Sequence, residues 1–397
     1  MYPGYLESFN KRFESIAILP YANHYDLLLE DTTEFVGAYT RTFRKLGIEN
    51  NCVIANYKDL QNKWRLENGN KSETPEKVLY EQVKQFQPDV LWIENLSFTD
   101  TAWLRDIRNS VKSISLIIAY HCSPMGPKIL ERLKYVDFVI TCTPGLKDDM
   151  VMKGFRSYLV YHGFDKGILD RITYKDELFK EDFIFSGSLA TGSGFHGKRI
   201  ELIEGLLDSG IDIDLYVNLE SKNKIAAKQI LYKTNHFLDK SKMSWLKRYF
   251  PVLEANKTAV KQYSAGLLAK KRLPVFGLEM YQLFNDSKVV LNYHIGVAGN
   301  FAGNMRMFEV TGVGSCLLTD IKSNMSDLFE VDSEVVVYDD REDCIAKAKW
   351  LLENDNERKK IALAGQKRTL TSHTVENRCK LIIEIINDEL KKKSKNE

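Results

Sequence analysis

The stretch NMRMFEVTGVGSCLLTD, residues 304–320, sets one carboxylate, Glu309, in an apolar helical run that feeds a buried strand. An ionised carboxylate only accepts hydrogen bonds, which suits it to a pair of sugar hydroxyls. Just upstream, GVAGNFAGN (296–304) carries three glycines and two asparagines. Such a loop can turn several main-chain amides toward an anion, and the helix beginning near Asn304 adds its positive end. No G-K-[S/T] follows, so this is not an NTPase phosphate loop. A second glycine cluster, GSGFHG (192–197), lies between a strand and a helix that opens with Lys198 and Arg199. It matches G-x-G-x-x-G, yet Leu189, Ala190 and Thr191 separate it from the expected strand end at Ser188. Asp214, 17 residues past Gly197 (214 − 197), falls within a strand and not at its carboxyl end. The segment therefore reads as a phosphate-facing loop with two cations more than as a dinucleotide site.

Short apolar runs alternate with amphipathic helical patterns and supply the scaffold. Strands are expected at 15–19, 52–57, 89–94, 115–120, 138–142 and 158–162, with helices at 40–47 and 73–86. In the second of these helices Val78, Leu79, Val83 and Phe86 repeat at helical spacing. After the polar stretch 170–182, strands are expected at 183–188, 212–217, 274–277, 288–294, 315–320 and 334–339. Runs apolar throughout, and not alternating, mark parallel strands covered on both faces. The pattern is α/β, with two doubly wound, Rossmann-like units. We divide it into an N-terminal domain (1–168), a C-terminal domain (180–370), and a final helix with a solvated tail (371–397).

The bulk properties exclude several classes. The chain has 397 residues, 44% hydrophobic and 28% charged, and a net charge of +2, which argues neither for nor against a polyanionic partner; no nucleic-acid partner is expected. Its N-terminus lacks a signal-peptide core, and no run is long enough to span a bilayer. A cytoplasmic protein is expected. Six cysteines (Cys52, Cys122, Cys142, Cys316, Cys344 and Cys379) form no C-x-x-C pair. They read as reduced, buried thiols and not as zinc ligands. Residues 219–272 are the exception to the even charge balance: 13 Lys/Arg against 3 Asp/Glu, or +10 (13 − 3), interleaved with large apolar side chains in SWLKRYFPVL. This insertion is either a solvated helical face or a basic surface for an anionic acceptor or membrane headgroups.

From the strand at 288–294 through the Gly/Asn loop, NMRMFEVTGVGSCLLTD, and NMSDLFEVDSEVVVYDDREDCIAKAKWLLENDNERKKIALAGQKRTLTSHT, the chain resembles the C-terminal half of CgeB-like (spore maturation protein) glycosyltransferases. These are relatives of the large retaining nucleotide-sugar group with the GT-B fold. The resemblance covers roughly residues 180–375 and only the topology before 165. It implies two Rossmann-like domains facing a central cleft, C-terminal helices crossing back, donor nucleotide held mainly by the second domain, and neither cofactor nor metal. It further implies that Glu309 binds the donor ribose, that Gly303 and Asn304 face the pyrophosphate or sugar, and that Phe276 and Gly277 hold the base. Lys198 and Arg199 fall nearest the basic residues that bind the diphosphate, and Arg306 could add charge there. In the first domain LIIAYHCSP is similar to a strand ending in a histidine beside the transferred sugar, which nominates His121. Two positions depart from the family pattern: Phe301 stands where a second acidic residue is usual, and Ser188 where an arginine often follows the strand glycine.

The implied activity is transfer of a sugar from a nucleotide-diphosphate sugar to a hydroxyl of a carbohydrate or glycoconjugate, in cell-envelope polysaccharide or glycoconjugate synthesis. The basic segment would allow peripheral contact with an anionic membrane. A nucleotide-sugar epimerase, a nicotinamide-dependent enzyme, and a non-catalytic sugar or nucleotide binder remain open on the same scaffold.

Overall fold

The computed structural model describes the chain except residues 2, 72–73, 174–178, 192–196, 242–243, 255–258, 297–298 and 396–397. Most of the GSGFHG cluster therefore lies outside the described residues, as do two positions of the 296–304 loop.

The first sheet holds four parallel strands: β1 (Val90–Ile93), β2 (Leu116–Tyr120), β3 (Phe138–Thr141) and β4 (Ser157–Leu159), in spatial order β1-β2-β3-β4. β2 and β3 are buried at every position, which explains their unbroken apolar sequence. Two expected strands do not form. Residues 15–19 coil into a 3-10 helix, Glu14–Ile18, which buries Ile16 and leaves Ile18 86% exposed. Residues 52–57 form no ladder; Ile54 and Tyr57 instead pack among the helices Pro3–Arg12, Tyr21–Asp31 and Lys58–Glu67. The N-terminal region is thus a helical layer in front of a short sheet.

The second sheet is larger: β5 (Glu181–Leu189), β6 (Asp214–Leu219), β7 (Lys271–Arg272), β8 (Ser287–Asn292), β9 (Cys316–Asp320) and β10 (Val336–Tyr338). All pairs are parallel, in the order β10-β9-β8-β5-β6-β7. The chain runs outward from β5 to β7, then returns to β8 on the other side of β5. That reversal opens a crevice at the carboxyl ends of β5 and β8, where ligands of such sheets bind. The expected strand at 274–277 is instead the entry to the helix Gly277–Asn285, with Gly277 at φ +60°. Only glycine takes that conformation at little cost.

Two crossings join the domains, and they pair with each other. The amide of Phe164 donates to the carbonyl of His373 at 2.8 Å, and that of Val375 returns to Phe164 at 2.9 Å. Beyond them, the helix Val375–Ser394 starts from a reciprocal cap between Thr374 and Asn377. Its Val375, Cys379 and Ile382 complete the core of the first domain with Ala38, Tyr39 and Ile118. Lys391, Lys392 and Lys393, expected in a solvated tail, lie within this helix, and Lys393 donates to the carbonyl of Ser115 at 2.7 Å.

Candidate active site

Both sheets present their carboxyl ends to one cleft of about 560 Å³, within the range of small-molecule sites. The second domain lines it with Phe185–Ser188 after the middle of β5, Asn292 and His294 at the end of β8, the 274–277 turn, and Gly303–Arg306 with Glu309. The first domain contributes Tyr5, Thr33, Glu34, Cys122, Cys142, Thr143 and His162.

Glu309 is 8% exposed on the helix Met305–Gly312. It lies on the helix face where Arg306, three residues earlier, can meet it, and the two form an ion pair at 2.8 Å. The Tyr281 hydroxyl stands 3.4 Å from the other carboxylate oxygen. Arg306 also donates to the Ser186 carbonyl at 3.3 Å and lies over the Phe284 ring. The carboxylate, the guanidinium and the end of β5 thus form one linked unit.

Arg199 joins the same crevice from the helix Gly197–Asp208. Its guanidinium donates to the carbonyls of Tyr293 (2.7 Å) and Ser188 (3.2 Å), and so ties the ends of β8 and β5 together. Burial, then the charge of Arg306, pulls it down to about 10. Lys198 is exposed and outside the cleft lining.

The loop before Glu309 is shaped by close approach. A Cβ on Gly303 would stand 2.5 Å from the Cys142 carbonyl oxygen and from a Thr143 methyl, and one on Gly145 would stand 2.6 Å from the Phe301 ring. Phe301 therefore packs on the first domain. Asn304 donates to Asn292 Oδ1 at 2.7 Å, while its own Oδ1 is buried with no partner among the described residues. His294 is fixed by Asp320, to Nδ1 at 2.7 Å and to its amide at 2.8 Å. Burial would raise the Asp320 carboxyl, but the bond from His294 and then the charges of His294 and Lys322 hold it below its usual range. Opposite, Phe276 lies against Gly4, and Gly277 near Thr33 and Tyr5, so the expected base-holding turn closes against the N-terminal helices.

His121 does not line the cleft. Its Nε2 pairs with the Ser123 hydroxyl at 3.1 Å, and burial lowers its pKa. His162, on the neighbouring crossing, occupies the cleft instead, with Cys122 and Cys142 beside it. The three were not apparent as a group because they lie 20 residues apart (142 − 122 and 162 − 142). Strand register is the signal that finds them: Tyr120 pairs with Ile140 and Thr141 with Leu159, so positions just beyond these ends converge. The hydrogen bond with Cys122, opposed by burial and assisted by His162, holds Cys142 below the ordinary thiol range.

Residues 250–384 match the family model described as Glycosyl transferase-like, about a third of the chain. No curated protein matches in sequence. Among solved structures the chain is similar to Anabaena Alr3699/HepE in complex with UDP and glucose, at TM-score 0.53 and 12% identity over 79% of this chain and 82% of that one. A glycosyltransferase from Rickettsia africae aligns at 0.50 and 11% identity, over 89% and 88%. The fold is GT-B. A mutant of S. aureus TarM, in a complex with Fondaparinux, alpha-GlcNAc-glycerol and UDP, shares it at 0.50 and 12% identity over 80% of this chain and 59% of that one. Against this GT-B background the two crossings at Phe164 and Thr374 are the connections between domains, and the crevice at β5 and β8 is the carboxyl edge of the second one. Among the described residues no helix is long and apolar enough to cross a membrane.

Proposed function

We propose that this protein is a glycosyltransferase that moves a hexose from a nucleotide-diphosphate sugar to a hydroxyl acceptor, and that it belongs to the CgeB-like branch its sequence resembles. The observation that carries the reading is Glu309, a nearly buried carboxylate at the switch-point crevice of a GT-B fold. The base would rest on the 274–277 turn and the ribose diol on Glu309. The diphosphate would lie between Arg199 and the amides opening the helix Met305–Gly312. As the glycosidic bond breaks, charge grows on the leaving diphosphate. Fixed cations and amides can stabilise that charge in place, so the donor chemistry calls for no hard divalent cation. Retention of configuration rests on the sequence resemblance, with Phe301 in place of the second acidic residue. The first domain would hold the carbohydrate or glycoconjugate acceptor, with His162 the histidine nearest the transferred sugar in place of His121.

Peripheral attachment to an anionic membrane is part of the same proposal. The described residues of the insertion between β6 and β7 form several helical pieces, of which Lys222–Lys240 is the longest. The insertion leaves Phe237, Trp245, Tyr249, Phe250 and Val252 more than half exposed among its lysines and arginines. Exposed aromatics interspersed with lysines and arginines along the chain fit an interfacial surface.

Screening nucleotide-diphosphate sugars by thermal shift, then assaying the best binder with hydroxyl acceptors, tests the function. Transfer is expected. Turnover of the sugar without any acceptor into an epimer, or binding with no turnover across the panel, would contradict it.

A further inference from the structure

The ends of β2, β3 and β4 bring Cys122, Cys142 and His162 together on the first-domain wall of the cleft. Their ligand atoms lie within 4.8 Å of one another. A tetrahedral zinc ion, with Zn–S near 2.3 Å, needs donor–donor edges of about 3.8 Å, so small side-chain rotations close the set. We propose that Cys122, Cys142 and His162 form a three-ligand site for a thiophilic divalent cation of the Zn²⁺ type, with its fourth position open to the cleft.

Three observations support this assignment. The donors are two sulfurs and an imidazole, a set that selects Zn²⁺ over Mg²⁺ or Ca²⁺. They stand one to three residues beyond the carboxyl ends of three paired parallel strands, whose register brings the positions just past those ends together. The Tyr120 hydroxyl holds His162 Nδ1 at 3.1 Å, the kind of outer contact that orients a ligating ring and leaves its other nitrogen for the metal. Binding would release the thiol protons to solvent and leave both thiolates on the ion. All three residues line the cleft, and Gly303 presses on the Cys142 carbonyl, so the ion would sit where the two domains meet. Three protein ligands with one open position is the arrangement of reactive zinc sites, not of closed structural ones. Under the transferase reading, an acceptor hydroxyl is the natural occupant of that position.

The test is titration of the reduced full-length protein with Co²⁺ and Zn²⁺ alone. One equivalent of Co²⁺ should give thiolate-to-cobalt charge-transfer absorption, which Zn²⁺ then abolishes. Cys122→Ser and Cys142→Ser should remove that band, whereas Cys52→Ala keeps it. Tyr120→Phe, which leaves all three ligands in place, should weaken binding roughly 10–100-fold. A protein that binds no Co²⁺, or a band that survives both serine variants, would overturn the proposal. These readouts need neither donor nor acceptor, so the site can fail while the transferase reading stands, and the reverse.

Discussion

The Phe301 ring and the Gly145 backbone meet across the two domains: a Cβ added at Gly145 falls 2.6 Å from the ring. Phe301, on the loop that leads into the cleft, thus packs directly on the first domain. Gly145→Ala should destabilise the protein by about 1–3 kcal/mol through overpacking, despite the better helix propensity of alanine. Phe301→Ala should relieve that clash. Urea unfolding of both single variants and the double variant measures it, and additive effects would show that the contact is not felt.

In the second sheet the adjacent strands β8 and β9, and the helix carrying Glu309, were legible because each has a continuous apolar run or a clear helical period. The N-terminal region was not. SIAIL and CVIANY have strand composition, but Pro20 follows the first directly, and neither finds a neighbouring edge, so helical packing decides. The Glu309 position could be read from its own surroundings, as a charge in an apolar run. Its pairing with Arg306 fits a three-residue helical step, but the Cys122–Cys142–His162 group exists only through the register of three strands.

His373 sits at the return crossing, buried at 5% exposure and bonded to the Leu328 carbonyl at 2.7 Å. Burial, with the Arg378 and Arg368 charges reinforcing it and the Leu328 bond opposing it, brings its pKa from 6.5 to about 4. A depressed folded-state value means that the neutral form is the one the fold prefers. Its stabilising effect is complete above pH 6.5 and is lost as pH falls toward 4, at up to about 1.4 kcal/mol per pH unit. Urea midpoints at pH 7, 6 and 5 should fall in that order, and less steeply in His373→Gln. An equal slope in the variant would place the proton elsewhere.

The basic insertion should bind vesicles containing anionic lipid at low ionic strength and release them as salt screens the charge. Trp245→Ser should weaken sedimentation with such vesicles without altering donor binding. No binding at low salt would remove the membrane from the account.

Glu309 carries the central claim. Titrating a nucleotide-diphosphate sugar that the wild type binds into Glu309→Gln, which keeps the side-chain shape, tests it most directly. We predict at least about tenfold weaker donor binding, as expected where a hydrogen bond to a charged group of about 1.5–3 kcal/mol is lost, with the fold retained. Unchanged donor affinity in the folded variant would contradict the assignment of this crevice as the donor site.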